Sequence, residues 1–599
     1  MSPTPEPPSA AAFDTDVLIV GTGPTGATLA LALAGLGVRC QLVSRWNWLA
    51  DTPRAHIINQ RAMEVFRDLG VEPAVGLHGT PWSQMGDTLF ATSLAGAELL
   101  RIRTWGTGDD RHGDYLKGSP CPLMDIPQHL IEPVLINHAA QRGAGLRCNT
   151  EYLSHVQDAE GVTVELQDRL SERRYTLRAR YLIGADGAKS QVMEDAGLKV
   201  EGTLARAGTV YIQFQADLSR YVQHRPSILY WIVTPSASFG EIGMGLLRAV
   251  RPWHQWIAGW GFDLSKGEPD LSDELVLSRI RTLIGDEQVD VQIERRSVWY
   301  VNQAHAPQYR NGRVLCGGDA VHRHPPSSGL GLNTCVQDAF NLAWKLAYVI
   351  QGHAGDALLD SYSEERAPVG RQVVQRANQS RLDYAPLKAA LRVEGAANPV
   401  AAGIARFADP GPEGVTAREA VAEALALKNT EFNAQGIEMN QRCVSGAVIP
   451  DPQLEPETWA RDPTLHLQAS ARPGAKLPHV WLVDHRGLRV STLDVVGRGR
   501  FTLLTGLAGG AWAHAVEALA RPYLHCRVIG AVSDGGLIDP YCDWQRVRGI
   551  AEAGALLVRP DGIIAWRHGA ALHDPEAAQR LLQAALDQVL ALAPDRPHP

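Results

Sequence analysis

Paired cysteines are the first thing missing. The chain has eight, Cys40, Cys121, Cys148, Cys316, Cys335, Cys443, Cys526 and Cys542, with no Cys-x-x-Cys pair and no zinc-ligand spacing. That leaves no disulfide framework or thiol redox motif and reads as a protein of the reducing cytoplasm. An excess of either charge is also missing: a formal net charge of -8 over 599 residues gives no basic surface to attract nucleic acid. The one apolar run that raises a membrane question, Val17 to Val38, is broken by Gly21, Gly23, Pro24 and Gly26 and suits a strand, turn and helix better. The first dozen residues are rich in Pro, Ala and Ser but lack the basic start and apolar stretch of a signal peptide, and read as a loose tail. No internal repeat is visible.

What is present is an ordinary globular composition, 45% hydrophobic and 20% charged, in a chain too long for one hydrophobic core. Two to four domains are expected, with room for a large cofactor. Val17 to Val20 reads as a strand, Thr25 to Leu36 as a small-residue helix ending at Gly37, and Gln41 to Ser44 as the second strand of a parallel βαβ unit. Val162 to Leu166 and Tyr175 to Arg180 alternate as strands do, and Tyr181 to Ile183 leads into another glycine turn. From about Thr209 to Trp260, strand-like stretches carry Tyr230, Trp231, Trp253, Trp256 and Trp260, which suit either a sheet over an aromatic pocket or plain core packing. After a strand at Val314 to Cys316, the helix from about Asn333 to Gln351 is expected to bury Val336, Phe340, Ala343, Ala347 and Ile350 and turn its other positions outward. Pro386 to Arg472 reads as a connector with helical pieces, and a boundary falls near Ala471. Beyond it the expected order is strand (Val480 to Val483), helix (Trp512 to Ala520), strands at Cys526 to Ile529, Ala555 to Val558 and Ile563 to Trp566, and a terminal helix, an order compatible with a thioredoxin-like domain.

Chemistry enters at Gly21-Thr22-Gly23-Pro24-Thr25-Gly26, where bare backbone and a helix N-terminus offer N–H groups to a pyrophosphate. Alone, such a turn is a weak signal. The acidic residue expected to bind a ribose at the end of the second strand is replaced by Ser44, followed by Arg45. Two later strand ends, Gly184-Ala185-Asp186-Gly187-Ala188-Lys189-Ser190 and Cys316-Gly317-Gly318-Asp319-Ala320-Val321-His322, each place an Asp in a glycine-rich corner. In order and spacing the three resemble the fingerprints of the flavoprotein aromatic hydroxylases, the family of para-hydroxybenzoate hydroxylase.

That resemblance implies an α/β fold: an FAD-binding, Rossmann-like domain of glutathione-reductase type (14–78, 120–192 and 298–385) with an interleaved β-sheet substrate domain (79–119 and 193–297). A helical connector (386–470) and a thioredoxin-like domain without redox cysteines (471–599) complete it, the last taken as structural and helping assembly. FAD would be held by Gly21, Gly23, Pro24, Gly26, Ser44, Arg45, Arg54 and Gln128, with Asp319 on the ribityl chain and Asp186 and Gly187 near the pyrophosphate and the transient nicotinamide. Pro326 and the run Gly329, Gly331, Leu332 and Asn333 would complete the site, the helix dipole there facing the flavin's pyrimidine edge.

Other stretches look like the bacterial phenol hydroxylases acting on dichlorophenol or hydroxybiphenyl: Thr52 to Arg61, Arg101 to Thr107, Val250 to Trp253 and Gly318 to Pro326. The implied cycle has NADH or NADPH reduce FAD, O2 form a flavin C4a-hydroperoxide, and its terminal oxygen pass to an electron-rich ring carbon. Small aromatic substrate and O2 are then the partners, in a homo-oligomer. His56 and Arg248 are the catalytic candidates, and Tyr230, Trp231, Trp253 and Pro325 the pocket candidates. An acidic pocket residue of the hydroxybiphenyl enzymes is matched by Ile228, which leaves carboxylate-assisted deprotonation without an obvious carrier. His56, His322 and His324 suggest a metal only superficially, since no carboxylate or cysteine completes a ligand set, and no metal is expected. A flavin-dependent halogenase is disfavoured because Trp46-Asn47-Trp48 is not followed by Ile-Pro. A phenol-catabolic enzyme, a tailoring hydroxylase on a natural product bearing a phenol or hydroxypyridine, and a catalytically silent flavin-binding protein stay open.

Overall fold

A computed structural model describes residues 13–205, 207–235, 243–530 and 536–592; the N-terminal tail expected from the sequence lies outside them. The central sheet has a parallel core, Val314–Cys316, Arg174–Gly184, Thr15–Val20, Cys40–Val43 and Gly145–Arg147, in that spatial order. Thr15–Val20 is buried along its whole length, as a strand covered on both faces must be. Helix Pro24–Gly35 is nearly all small or aliphatic and packs between the helices Gln128–Gln141 and Gly331–Ile350. The stretches read separately as Tyr175 to Arg180 and Tyr181 to Ile183 form one strand, Arg174–Gly184. Its first half pairs with the antiparallel Val162–Asp168, and its second half joins the parallel core.

A seven-stranded sheet stands beside it, in the order Gln292–Tyr300, Gly208–Gln215, Gln255–Phe262, Gly245–Arg251, Leu229–Ile232, Thr88–Ala91 and Glu98–Ile102. Alternation along its strands divides it into two faces. Tyr230, Ile232, Leu247 and Trp256 pack with helix Asp273–Ile284 on one, while Leu229, Trp231 and Leu246 pack with Ile57, Tyr384 and Leu387 on the other.

Helix Gly331–Ile350 departs from the expected amphipathic layout, because every residue from Leu332 to Tyr348 is buried. Its polar side is covered by helix Asp360–Leu382 and by the C-terminal domain. Helices Ala385–Ala390, Pro399–Ala408, Pro412–Phe432 and Gln435–Met439 follow, and the chain then runs largely without regular structure to about residue 480. In the C-terminal domain, Phe501–Thr505 and Leu524–Val528 are parallel neighbours joined through helix Gly510–Leu519, and the hairpin Ala555–Val558 and Ile564–His568 completes the sheet before helix Pro575–Val589. The central strand Phe501–Thr505 was not expected from the sequence. No helix among the described residues is long and apolar enough to cross a membrane.

Candidate active site

Three of the parallel strands, Thr15–Val20, Arg174–Gly184 and Val314–Cys316, are neighbours, so the glycine turns that follow them meet at one sheet edge, where α/β folds bind ligands. Gly21 has φ +110°, and a Cβ there would lie 2.1 Å from the Ala185 carbonyl oxygen, so only glycine lets the first turn rest on the second. Gly318, φ +65°, is pressed the same way against the Thr25 hydroxyl. Backbone bonds fasten the corners together: Ala185 N–H donates to Val20 O at 2.8 Å and Gly317 N–H to Gly184 O at 3.0 Å.

The edge so formed is built for a long anionic ligand. Gly23 caps helix Pro24–Gly35 without a side-chain hydrogen bond, and the space a Cβ would take is bounded only by Glu132 Oε1 at 3.9 Å, so the first helical N–H groups stay available. Gly187 opens onto free space, and the Asp319, Arg45 and Arg54 side chains are exposed. Free N–H groups, a solvent-facing carboxylate and two exposed guanidinium groups along one edge suit the phosphates and sugar hydroxyls of a flavin dinucleotide.

Several residues expected to contact the cofactor also have partners within the protein. Asp186 accepts from the Ser190 hydroxyl at 2.5 Å and from the Gln191 and Val192 N–H groups at 2.9 and 3.3 Å, which anchors the short helix Gln191–Asp195. Asn333 accepts from Asn59 N–H at 2.9 Å and donates to Ile57 O at 2.8 Å and Gly329 O at 2.6 Å, pinning the start of its helix to the chain beside His56. Gln128 donates its amide to Glu132 at 2.6 Å, and the other Glu132 oxygen holds Ala50 N–H at 2.8 Å. Ser44 is buried, its hydroxyl accepting from Trp46 N–H at 3.3 Å, while the Arg45 guanidinium covers the Trp46 ring at 4.9 Å. Gly329, φ +60°, packs on Ile57, Gly331 faces His324, Leu332 is buried and Pro326 is exposed.

Between the two sheets the chain places an ionic cluster that sequence spacing did not reveal. Asp125, 1% exposed, pairs in β-register with Ile57, so it lies beside His56, and its Oδ1 accepts from the Arg248 guanidinium at 2.8 Å. His56 Nδ1 is 3.5 Å from the same oxygen. Both His56 nitrogens are buried with no hydrogen-bond partner among the described residues. Burial, helped by the nearby Arg248 charge, pushes the imidazole down to about 4. Burial alone would raise Asp125, but Arg248 and His56 hold it below the usual carboxylate range. Ile228 is an apolar buried side chain, as read from the sequence, and the carboxylate nearest His56 and Arg248 is Asp125, on the short strand Met124–Asp125. The sequence signal for Asp125 is a single acid in the otherwise apolar stretch Cys121 to Pro127, just ahead of Gln128.

Pocket candidates separate by strand parity. Trp231 and Arg248 share the face that meets Ile57 and Tyr384, and Pro325 is buried beside His324. Tyr230 points to the opposite core, its hydroxyl taken by Ser227 N–H at 2.9 Å and Arg225 O at 3.2 Å, and Trp253 stacks on Trp256 there. Tyr211, missed in the sequence, stands on the Arg248 face in the room left by Gly259, where a Cβ would be 2.8 Å from its ring.

The depressed imidazole has a thermodynamic consequence. An unfolded His56 titrates near 6.5 and the folded one near 4, so the unfolded chain binds the extra proton between those values. Stability from this group is present above pH 6.5 and lost as pH falls towards 4, at most on the order of 3 kcal/mol. A His56→Gln variant is expected to lose less stability than the parent over that window in urea titrations of the flavin-free protein; an identical acid loss would contradict the buried neutral imidazole.

Comparison with known proteins agrees with this geometry. A family model described as FAD binding domain matches residues 14–377, and one described as aromatic-ring hydroxylase, C-terminal, matches residues 470–593. The chain is 48% identical over 589 residues to a 2,4-dichlorophenol 6-monooxygenase of Delftia acidovorans, covering 97% of this chain and 99% of the relative. It is 43% identical over 583 residues to a phenol 2-monooxygenase of a Pseudomonas strain, covering 96% of this chain and 94% of that one. Among solved structures, the flavin-dependent monooxygenase PieE in complex with FAD and substrate superposes with a TM-score of 0.92 at 43% identity, over 97% of this chain and 100% of that one. The three glycine corners, the paired sheets and the C-terminal domain thus belong to an FAD-dependent aromatic-ring hydroxylase, and the chain is a member of that family.

Proposed function

We propose that the chain hydroxylates a phenol-like ring, with His56 and Arg248 acting on the substrate oxygen and Asp125 holding both in place. The observation that carries this reading is a buried His–Asp–Arg cluster in which Asp125 Oδ1 lies 3.5 Å from His56 Nδ1 and 2.8 Å from the Arg248 guanidinium, while His56 Nε2 has no hydrogen-bond partner among the described residues. Bound FAD, reduced by NADH or NADPH, supplies the oxygen-transfer chemistry. The protein's part is to bind the ring, exclude water and manage one proton. A phenol titrates near 10, so passing its proton to an imidazole near 4 would cost about 8 kcal/mol with nothing else changed. Arg248 reduces that gap by attracting the phenolate oxygen, and a new anion beside His56, with Asp125 behind it, raises the imidazole's affinity for the proton. Residues 14–78, 120–192 and 298–385 are assigned to the cofactor and 79–119 and 193–297 to the substrate, a division supported by the two sheets. The connector 386–470 and the C-terminal domain 471–599 brace them. Asp319 is assigned to the flavin's ribityl chain because its carboxylate is exposed at the sheet edge. Eight unpaired cysteines support a reducing, cytoplasmic setting. Homo-oligomeric assembly is part of the same reading, checked by light scattering of the purified protein.

The relatives' names favour phenol and chlorinated phenols as the first substrates to try. The test is a panel of substituted phenols with NADH and NADPH, scored by hydroxylated product rather than by coenzyme loss. His56→Ala is expected to lower product formation by about 10²-fold while the protein stays yellow. An unchanged hydroxylation rate in that variant would remove His56 from the reaction.

A further inference from the structure

The third glycine corner is held from behind by a carboxylate outside the glycine motif. Asp338, 0% exposed, projects from helix Gly331–Ile350, and its Oδ2 accepts the Gly318 N–H at 3.1 Å. The same oxygen lies 2.8 Å from His322 Nε2, while Oδ1 accepts from Arg366 Nε at 2.8 Å. Gly318 has little freedom on its other side, where a Cβ would meet the Thr25 hydroxyl at 2.1 Å. A charged acceptor on the Gly318 N–H therefore fixes the Gly317–Gly318 peptide plane, and Asp319 follows directly after Gly318, whose own backbone is confined at φ +65° against Thr25.

Asp338 is in turn held by groups from two other parts of the chain. Arg366 comes from helix Asp360–Leu382, and its second nitrogen donates to Gln441 of the connector at 3.0 Å. His322 comes from the turn itself, so the carboxylate clamps the corner at two points of the same loop. Asparagine could not substitute. Its single acceptor oxygen serves either Gly318 and His322 or Arg366, and its NH2 group would then face an N–H on the other side.

We propose that Asp338 is a positioning residue for the flavin nucleotide: it fixes the Gly317–Gly318 peptide and, through the confined backbone of Gly318, sets where Asp319 meets the ligand, with Arg366 and His322 holding its carboxylate. The inference rests on the reading that the third glycine corner carries FAD through Asp319. It goes beyond that reading by placing control of the corner on a residue that touches no ligand.

The test is a double-variant cycle on the full-length, flavin-free protein, with the FAD dissociation constant measured by fluorescence. Asp319→Ala and Asp338→Asn are each expected to weaken FAD binding by about tenfold or more, the scale of loss that follows removal of a hydrogen bond to a charged group. Acting through Asp319, Asp338→Asn should add little in the Asp319→Ala background, so the double variant should bind FAD about as well as Asp319→Ala alone. A merely structural role would instead give multiplied losses. An Asp338→Asn protein with parental affinity, beside a weakened Asp319→Ala, overturns the proposal and leaves the corner's assignment standing. Parental affinity in both single variants overturns both. Should Asp338→Asn fail to fold, Arg366→Lys takes its place in the same cycle; it keeps the charge and loses the fixed fork geometry, and the same outcomes decide.

Discussion

Asp125→Asn is expected to lower the rate of ring hydroxylation by about 10²-fold or more while leaving FAD content unchanged. The substitution keeps the side chain's shape and one acceptor for the Arg248 guanidinium, now 2.8 Å from Oδ1, so the pocket should not collapse. What it removes is the negative charge. Without that charge, a proton arriving on His56 makes an imidazolium beside Arg248 in a dry site, where like charges repel strongly. Product formation should therefore fall more than coenzyme oxidation, because the proposed proton transfer to His56 serves oxygen transfer to the ring. The measurement is product formed per coenzyme consumed, together with the visible flavin absorbance per protein. A variant that hydroxylates at the parental rate would place the carboxylate outside the reaction.

Legibility in the sequence followed how locally each feature is determined. The glycine corners could be read because left-handed backbone at Gly21 and Gly318, and the close approach of two loops, admit no other residue. Strand Phe501–Thr505 was missed because it is buried throughout and so shows no alternation, and a five-residue run of Phe, Leu and Thr alone fits a strand or a helix. Strand parity settled Tyr230 against Trp231: adjacent residues face opposite cores, and only the register of Leu229–Ile232 against Gly245–Arg251 says which face meets the site. Asp125 was unreadable as a site residue because its two partners come from a preceding loop and from the other sheet. Helix Gly331–Ile350 misled most directly. Asp338, Asn341 and Lys345 recur at helical spacing and look like a solvent face, yet all three are buried against charges supplied later in the chain.

Those later charges set the second large effect. Arg559, fully buried, donates to Glu365 at 2.6 and 2.9 Å and to Asp561 at 3.0 and 2.6 Å, while Lys345 donates to Glu365 at 3.0 Å. Two cations and two carboxylates thus balance inside the junction between helix Gly331–Ile350, helix Asp360–Leu382 and the C-terminal domain. Burial alone would push Glu365 up, but Arg559 and Lys345 hold it well below the usual carboxylate range. Arg559→Met is expected to destabilise the protein by about 3–5 kcal/mol, because it leaves two buried carboxylates facing one ammonium. Glu365→Gln in the same chain removes the surplus charge and should recover most of that loss. Thermal midpoints at one scan rate, taken with and without FAD, read both effects. Since Glu365 adjoins Arg366, which holds Asp338 behind the third glycine corner, the Arg559→Met loss should be larger with FAD bound than without. Equal losses would mean that the C-terminal domain braces the fold without reaching the cofactor.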